Sequence, residues 1–125
     1  AHPEGTGNLA EARGYMVGGK TGTSEKVRPE GGYYTDRNIA SFIATFPVHE
    51  PKYVLAIMVD DPKGQRKSYY KTTGGWVAAP AAKEIIQHAA PMLGIHPVDE
   101  KAPEIRQKLW LDFKIGKGEM ALASY

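Results

Sequence analysis

Hydrophobic residues fall into short blocks separated by polar, glycine- and proline-containing stretches, and the spacing within each block predicts its secondary structure. Ile39–Phe46 and Tyr53–Val59 are rich in β-branched and aromatic residues, the composition of strands. Only residues 47–52 join them, too little chain for the crossover that parallel strands need, so they pair antiparallel. Upstream, Tyr15–Val27 mixes β-formers with Gly18, Gly19 and Gly22 and reads as a first strand that another backbone approaches closely. Arg28–Arg37, with Pro29, Gly31 and Gly32, is expected to be a loop. So is Asp60–Gly75, which carries the aromatic pair Tyr69 and Tyr70.

After that loop the period changes. Val77, Ala81, Ile85, His88/Ala89 and Met92 recur at helical spacing, with Pro80 in the first turn where a missing N–H matters least. A helix of about five turns is expected over residues 75–93, stopping at Pro91–Gly94. Trp76 and Val77 at its start are expected in the core. In the tail, Leu109, Leu111, Phe113 and Ile115 alternate as in a strand, and the rest of Asp99–Lys117 reads as a solvated surface with one apolar strip. The pattern therefore predicts an α+β unit: a leading loop over residues 1–14, three antiparallel strands over 15–60, the helix over 75–93 and a tail over 94–125.

Composition narrows the class. With 42% hydrophobic residues the chain can bury a core, which excludes a disordered tail, and with no Cys it is no disulfide scaffold. Its longest apolar run, Tyr53–Val59, is far below the roughly 20 residues that span a bilayer, and Ala1–Arg13 has no signal-peptide pattern. Sixteen Lys and Arg against 14 Asp and Glu leave a net charge of +2 without a basic stripe, so nucleic acid is excluded as an expected partner.

Several short motifs compete. Gly14-Tyr-Met-Val-Gly-Gly-Lys20-Thr21 has P-loop spacing, and Val54–Asp60 resembles an apolar strand ending in an acidic Mg²⁺ ligand. A P-loop must open a helix, however, and Gly22, Pro29, Gly31 and Gly32 would break one. Gly5-Thr-Gly-Asn-Leu-Ala10 fits the dinucleotide fingerprint but lacks a preceding strand. Ser68-Tyr-Tyr-Lys71 matches S-x-x-K, whose chemistry needs a helix to bring the Lys back to the Ser hydroxyl; here it lies in a turn-rich loop. His2, His49, His88 and His96 show no metal spacing, so no metal and no cofactor are expected.

What remains is Lys20-Thr21-Gly22-Thr23 on a strand followed by a hairpin and a long helix. This resembles the C-terminal part of the penicillin-binding protein transpeptidase domain, whose third motif is K-T-G on an edge strand. The likeness takes in Gly5-Thr-Gly7, Gly14-Tyr15, the Ala40–Pro47 strand, Val59-Asp-Asp-Pro62, Gly74-Gly75 and Ala79-Pro80. Lys26-Val27 with the Gly-Tyr loop after it, and Leu93-Gly-Ile95, look most like the division-specific class B enzymes that cross-link septal peptidoglycan.

The resemblance implies a penicillin-binding protein/serine β-lactamase-like fold, the three strands here belonging to a five-stranded sheet in the parent. It also implies Lys20 and Thr23 as catalytic residues, Lys20 beside the active-site serines and the Thr23 backbone N–H in the oxyanion hole. A D-alanyl-D-alanine stem peptide or a β-lactam would be bound by Lys20, Thr21, Gly22 and Thr23. The residue types agree: an edge strand can accept an extended peptide as an added strand, and Gly22 lets its backbone come close. Two hydroxyls beside an ammonium suit a carboxylate. Tyr33, Tyr34, Tyr69 and Tyr70 either wall the cleft, as the bordering loops do in relatives, or cover the sheet end.

The family's S-x-x-K nucleophile and S-x-N or Y-x-N turn precede K-T-G, and neither occurs in that order here. The chain is therefore expected to be the C-terminal piece of a larger enzyme, inactive alone, with the rest of its own domain as a partner. The implied parent lies on the periplasmic side of the inner membrane, held by an N-terminal transmembrane helix and working with divisome proteins. The remaining alternatives are a D,D-carboxypeptidase or β-lactamase relative using water as acceptor, a non-catalytic module binding peptide carboxylates, and a P-loop NTPase.

Overall fold

In the computed structural model of the chain, which describes residues 5–109, strand β1 (Gly18–Val27), β2 (Tyr33–Phe46) and β3 (Tyr53–Asp60) form an antiparallel sheet in the order β1-β2-β3. The expected sheet is present, with two boundaries moved. β1 begins at Gly18 instead of Tyr15, and β2 begins at Tyr33, inside the stretch expected to be a loop. The loop contracts because Gly31 and Gly32 both take positive φ, and Arg28 and Gly32 close the turn with a 2.9 Å hydrogen bond from the Arg28 N–H to the Gly32 carbonyl. That lets Val27 pair with Tyr33, across a bulge between Glu25 and Val27.

Register assigns the faces. Lys20 pairs with Ile43 and Ile43 with Ala56; Gly22 pairs with Ser41 and Ser41 with Met58. These residues share one face, and Ile43, Val54 and Met58 on it are 57%, 74% and 73% exposed. Thr21, Phe42 and Ile57 share the opposite face with Ala40 and Ala44, and there Ala40, Phe42 and Ala44 are buried.

Helix α1 (Ala78–Met92) and the short 3₁₀ turn Asn8–Ala10 pack on this second face. Alanine favours the helix and brings its backbone close to the sheet. Ala78, Ala79, Ala82, Ile86 and Ala90 join Ala10, Ala12, Phe42, Ala44, Phe46 and Ile95 in one core cluster. The buried stripe lies one residue on from the spacing expected to mark it: Ile86 is fully buried, whereas Ile85 is 45% and Met92 86% exposed. Trp76 and Val77, expected in the core, are half-buried.

The helix starts three residues later than expected and ends on a Schellman motif. Gly94 has φ 74°, the Ile95 N–H bonds the Ala90 carbonyl at 2.9 Å, the Gly94 N–H bonds the Pro91 carbonyl at 3.2 Å, and Ile95 is buried. Beyond it the chain returns to the start of β1: Gly14 accepts from the Val98 N–H at 2.9 Å and donates to Glu100 Oε1 at 2.7 Å. A second helix, α2 (Pro103–Leu109), follows with Ile105 buried. The tail up to residue 109 is thus partly packed and helical where a solvated surface and a strand from Leu109 were expected. Leu111, Phe113 and Ile115 lie outside the described residues, as do residues 1–4 of the leading loop.

Candidate active site

Lys20-Thr21-Gly22-Thr23 occupies the middle of β1, whose outer edge has no partner strand among the described residues. A strand at this point rules out the P-loop, which needs Lys20 and Thr21 to open a helix. Alternation splits the four residues between the two faces. Lys20 and Gly22 lie on the open face, and Lys20 Nζ donates to the Thr21 carbonyl at 3.0 Å. Thr21 and Thr23 lie on the opposite face, so the ammonium and the two hydroxyls leave the strand on different sides.

Both hydroxyls are engaged from behind. Thr21 Oγ1 lies 2.9 Å from Thr6 Oγ1, and Thr23 Oγ1 accepts the Gly74 N–H at 3.1 Å. Gly74 and Gly75 lie against the backbone just before α1. A Cβ on Gly74 would overlap the Ser41 carbonyl and sit 2.5 Å from that of Gly22, and one on Gly75 would overlap the Thr6 carbonyl. The Phe42 ring supports the same strand from below, with its Cζ 2.6 Å from where a Gly19 Cβ would be. Thr6, Phe42, Gly74 and Gly75 thus support the strand from behind. Gly5-Thr-Gly7 and Gly74-Gly75 signalled themselves as glycine pairs, but pairings across 15 and 51 residues are not written in local spacing.

The two tyrosine pairs lie in different places. Tyr33 pairs with Val27, seven residues along β1 from Lys20, about 23 Å at the usual rise. Arg28 and Arg37 stand over the Tyr34 ring at 5.3 and 4.9 Å. Tyr33 and Tyr34 therefore lie at the end of the sheet away from Lys20. Tyr69 and Tyr70 are 74% and 71% exposed in the loop after β3, where Tyr69 meets Trp76 edge-on at 5.6 Å between centroids. Asn38 Nδ2 ties this loop to β2 through the Thr72 carbonyl at 3.1 Å.

Ser68 and Lys71 do not form a nucleophile pair. The Ser68 hydroxyl donates to the Gln65 carbonyl at 3.0 Å, and Lys71 Nζ sits 4.7 Å from the Trp76 ring centroid.

Charge gathers at the end of the sheet opposite the root of β1. Lys26 pairs with Asp60 at 2.7 Å, and Asp61 receives Lys63 at 3.0 Å and Arg37 at 3.1 Å. The Lys63 hydrogen bond, then that of Arg37, holds the Asp61 carboxyl below its usual range against partial desolvation. Among the described residues no group of three or more His, Asp or Glu is placed to hold a metal, and no helix is long and apolar enough to cross a membrane.

A Lys-Thr-Gly-Thr edge strand backed by a hairpin and one long helix is the sheet arrangement of serine acyl-transferases with a K-T-G motif. The model of the penicillin binding protein transpeptidase domain matches residues 1–87. The chain belongs to that family. It is 47% identical over 96 residues, 73% of its length, to the probable peptidoglycan D,D-transpeptidase FtsI of Caulobacter vibrioides. It is 41% identical over 112 residues, 89% of its length, to stage V sporulation protein D of Bacillus subtilis. The chain spans 16% of the length of each of these relatives.

Among solved structures it is similar to penicillin-binding protein 3 of Mycobacterium tuberculosis in complex with ampicillin, with TM-score 0.65 and 27% identity over 81% of this chain and 22% of that one. It is likewise similar to the transpeptidase domain of Burkholderia pseudomallei penicillin-binding protein 3, with TM-score 0.63 and 33% identity over 78% of this chain and 28% of that one.

Proposed function

We propose that the chain is the C-terminal part of a serine D,D-transpeptidase that cross-links peptidoglycan stem peptides, and that it supplies the strand on which the substrate is held. The observation carrying this reading is the Lys20–Thr23 run on a sheet edge that has no partner strand among the described residues, with Lys20 on the open face. The D-alanyl-D-alanine end of a stem peptide adds to that edge as an extended strand. Its carboxylate meets Thr21 and Thr23 at the flank. A β-lactam takes the same place. The serine, carried by the rest of the domain, attacks the penultimate D-alanine carbonyl; D-alanine leaves, and the acyl group passes to an amine of a neighbouring stem. The Thr23 backbone N–H stabilises the oxyanion in each tetrahedral intermediate.

The remainder of the domain is the first partner. Ile43, Val54 and Met58 form an apolar face beside Lys20, and the outer edge of β3 has no partner among the described residues; residues upstream of this chain cover both. The septal role is taken from relatives named FtsI, and with it a site outside the cytoplasmic membrane, an upstream anchor and division proteins as neighbours.

Labelling with a fluorescent penicillin tests the reading. The chain alone is expected to form no covalent adduct. The longer protein containing the serine forms one, and Lys20→Ala slows its formation roughly 100-fold, the usual scale for losing a group that assists proton transfer. A stoichiometric adduct on the isolated chain would sink the proposal.

A further inference from the structure

Thr6 precedes Lys20 by fourteen residues and lies in a different segment, yet its hydroxyl is 2.9 Å from that of Thr21. Its position is imposed by its surroundings. The Thr6 carbonyl fills the space that a Gly75 side chain would need, and a Cβ on neighbouring Gly7 would lie 3.0 Å from the Phe42 ring. Thr6 is thereby wedged between the turn that leads into α1 and the ring beneath β1. Its side chain is exposed, and that of Thr21 is half-buried, so the pair opens to the flank of the edge strand.

A hydroxyl has one proton to give and two lone pairs with which to accept. If Thr21 gave its proton to Thr6, it would have none for a substrate anion at the edge. With Thr6 as the donor, the Thr21 oxygen is satisfied and its own proton is free to point outward. A hydroxyl that accepts one hydrogen bond also donates a stronger one, because successive bonds polarise each other.

We propose that Thr6 is a positioning residue for substrate binding: it donates to Thr21 and so turns the Thr21 proton toward the carboxylate of the bound peptide. The Thr6 side chain does not touch the reacting carbonyl. Its effect is confined to ligands that carry an anion where the terminal D-alanine carboxylate lies. This rests on the transpeptidase reading above, and in particular on Thr21 meeting that carboxylate.

The test uses the full-length protein with its serine and two acylaminomethyl-boronic acids, which bind serine reversibly. One carries a carboxylate at the position of the terminal D-alanine carboxyl, and the other has the same group as its methyl ester. The wild-type protein is expected to prefer the carboxylate. Thr6→Val, which keeps the shape and loses the donor, is expected to reduce that preference about tenfold, the scale of one hydrogen bond to a charged group, while affinity for the ester stays within about twofold. Thr6→Ser, which restores the donor, keeps the preference. If the wild type prefers the carboxylate and Thr6→Val prefers it equally, the role given to Thr6 is wrong and the carboxylate reading stands. Equal loss for both boronic acids, accompanied by a lower melting temperature, would make Thr6 merely structural and overturn the proposal. A wild type with no preference overturns the carboxylate reading itself.

Discussion

Phe42 ties the stability of the sheet to the position of Lys20, and truncating it separates a supported strand from one that merely lies on the surface. The ring is 1% exposed. It reaches under β1, where a Gly19 Cβ would be 2.6 Å from Cζ, and under the leading loop, where a Gly7 Cβ would be 3.0 Å from Cε2. Phe42→Ala removes the whole ring from a fully buried site in the core cluster. The expected cost is about 3–5 kcal/mol. For a domain of a few hundred residues this lowers the melting temperature by roughly 6–20 °C. Because the cavity opens next to Gly19, one residue before Lys20, acylation by a fluorescent penicillin is expected to slow as well. Phe42→Leu leaves most of the volume and is expected to cost about 1–2 kcal/mol. Calorimetry on the full-length protein, run beside penicillin labelling below the melting range, reads both effects. A Phe42→Ala protein melting within about 3 °C of wild type would refute the claim that the ring supports β1.

Two further perturbations probe the ends of the sheet. Asp61 takes φ 50°, which Asn tolerates about as well, so Asp61→Asn removes the charge without adding backbone strain. Its depressed folded-state value contributes stability that is present above the ordinary carboxylate range and lost as pH falls through the lowered value. Wild type is therefore expected to lose melting temperature more steeply than Asp61→Asn below about pH 4; parallel curves would show that Lys63 and Arg37 do not stabilise the fold through this carboxylate. At the other end, Gly14 has φ 87°, and a Cβ there would lie 2.8 Å from Pro97 Cβ. Gly14→Ala is expected to cost about 1–3 kcal/mol and to release the tail, seen as faster hydrogen exchange at the Val98 amide. Unchanged protection at Val98 would mean the tail is held by Ile95 and Ile105 without the help of Gly14.

Much of this architecture is legible in the pattern because the strands Ile39–Phe46 and Tyr53–Val59 are dense in β-branched and aromatic residues, and Pro91–Gly94 carries a helix stop. Other features depend on tertiary context. Tyr33–Arg37 is polar enough to look like a loop, yet pairing with β1 extends β2 through it once Gly31 and Gly32 tighten the turn. In the helix, periodicity picks out the large residues Ile85 and Met92, whereas the sheet selects Ala78, Ala82, Ile86 and Ala90. Alanine is ambiguous in a sequence; packing in one cluster with Phe42, Ala44 and Phe46 makes the alanine stripe the buried one. Ile95 and Ile105 are single apolar residues in a charged tail, and nothing local marks them as anchors.

The candidate site was legible as four letters and not as a geometry. Treating Lys20, Thr21 and Thr23 as one cluster ignores the period of a strand, which must put Lys20 and Gly22 on one face and Thr21 and Thr23 on the other. That division has a physical use. The ammonium stays on the open face, away from the helix. Both hydroxyls face the part of the chain that can anchor them, so the turn before α1 holds Thr23 through the Gly74 N–H and the leading loop holds Thr21 through Thr6. A one-residue slip of β1 would exchange the faces and turn Lys20 toward the leading loop and the turn before α1. Three features oppose it: Gly74 seated on the Gly22 backbone, the bulge between Glu25 and Val27, and Lys26 paired with Asp60 across the sheet. The edge that must accept a substrate is therefore kept in register from behind and from its far end, and among the described residues no strand pairs with its outer side.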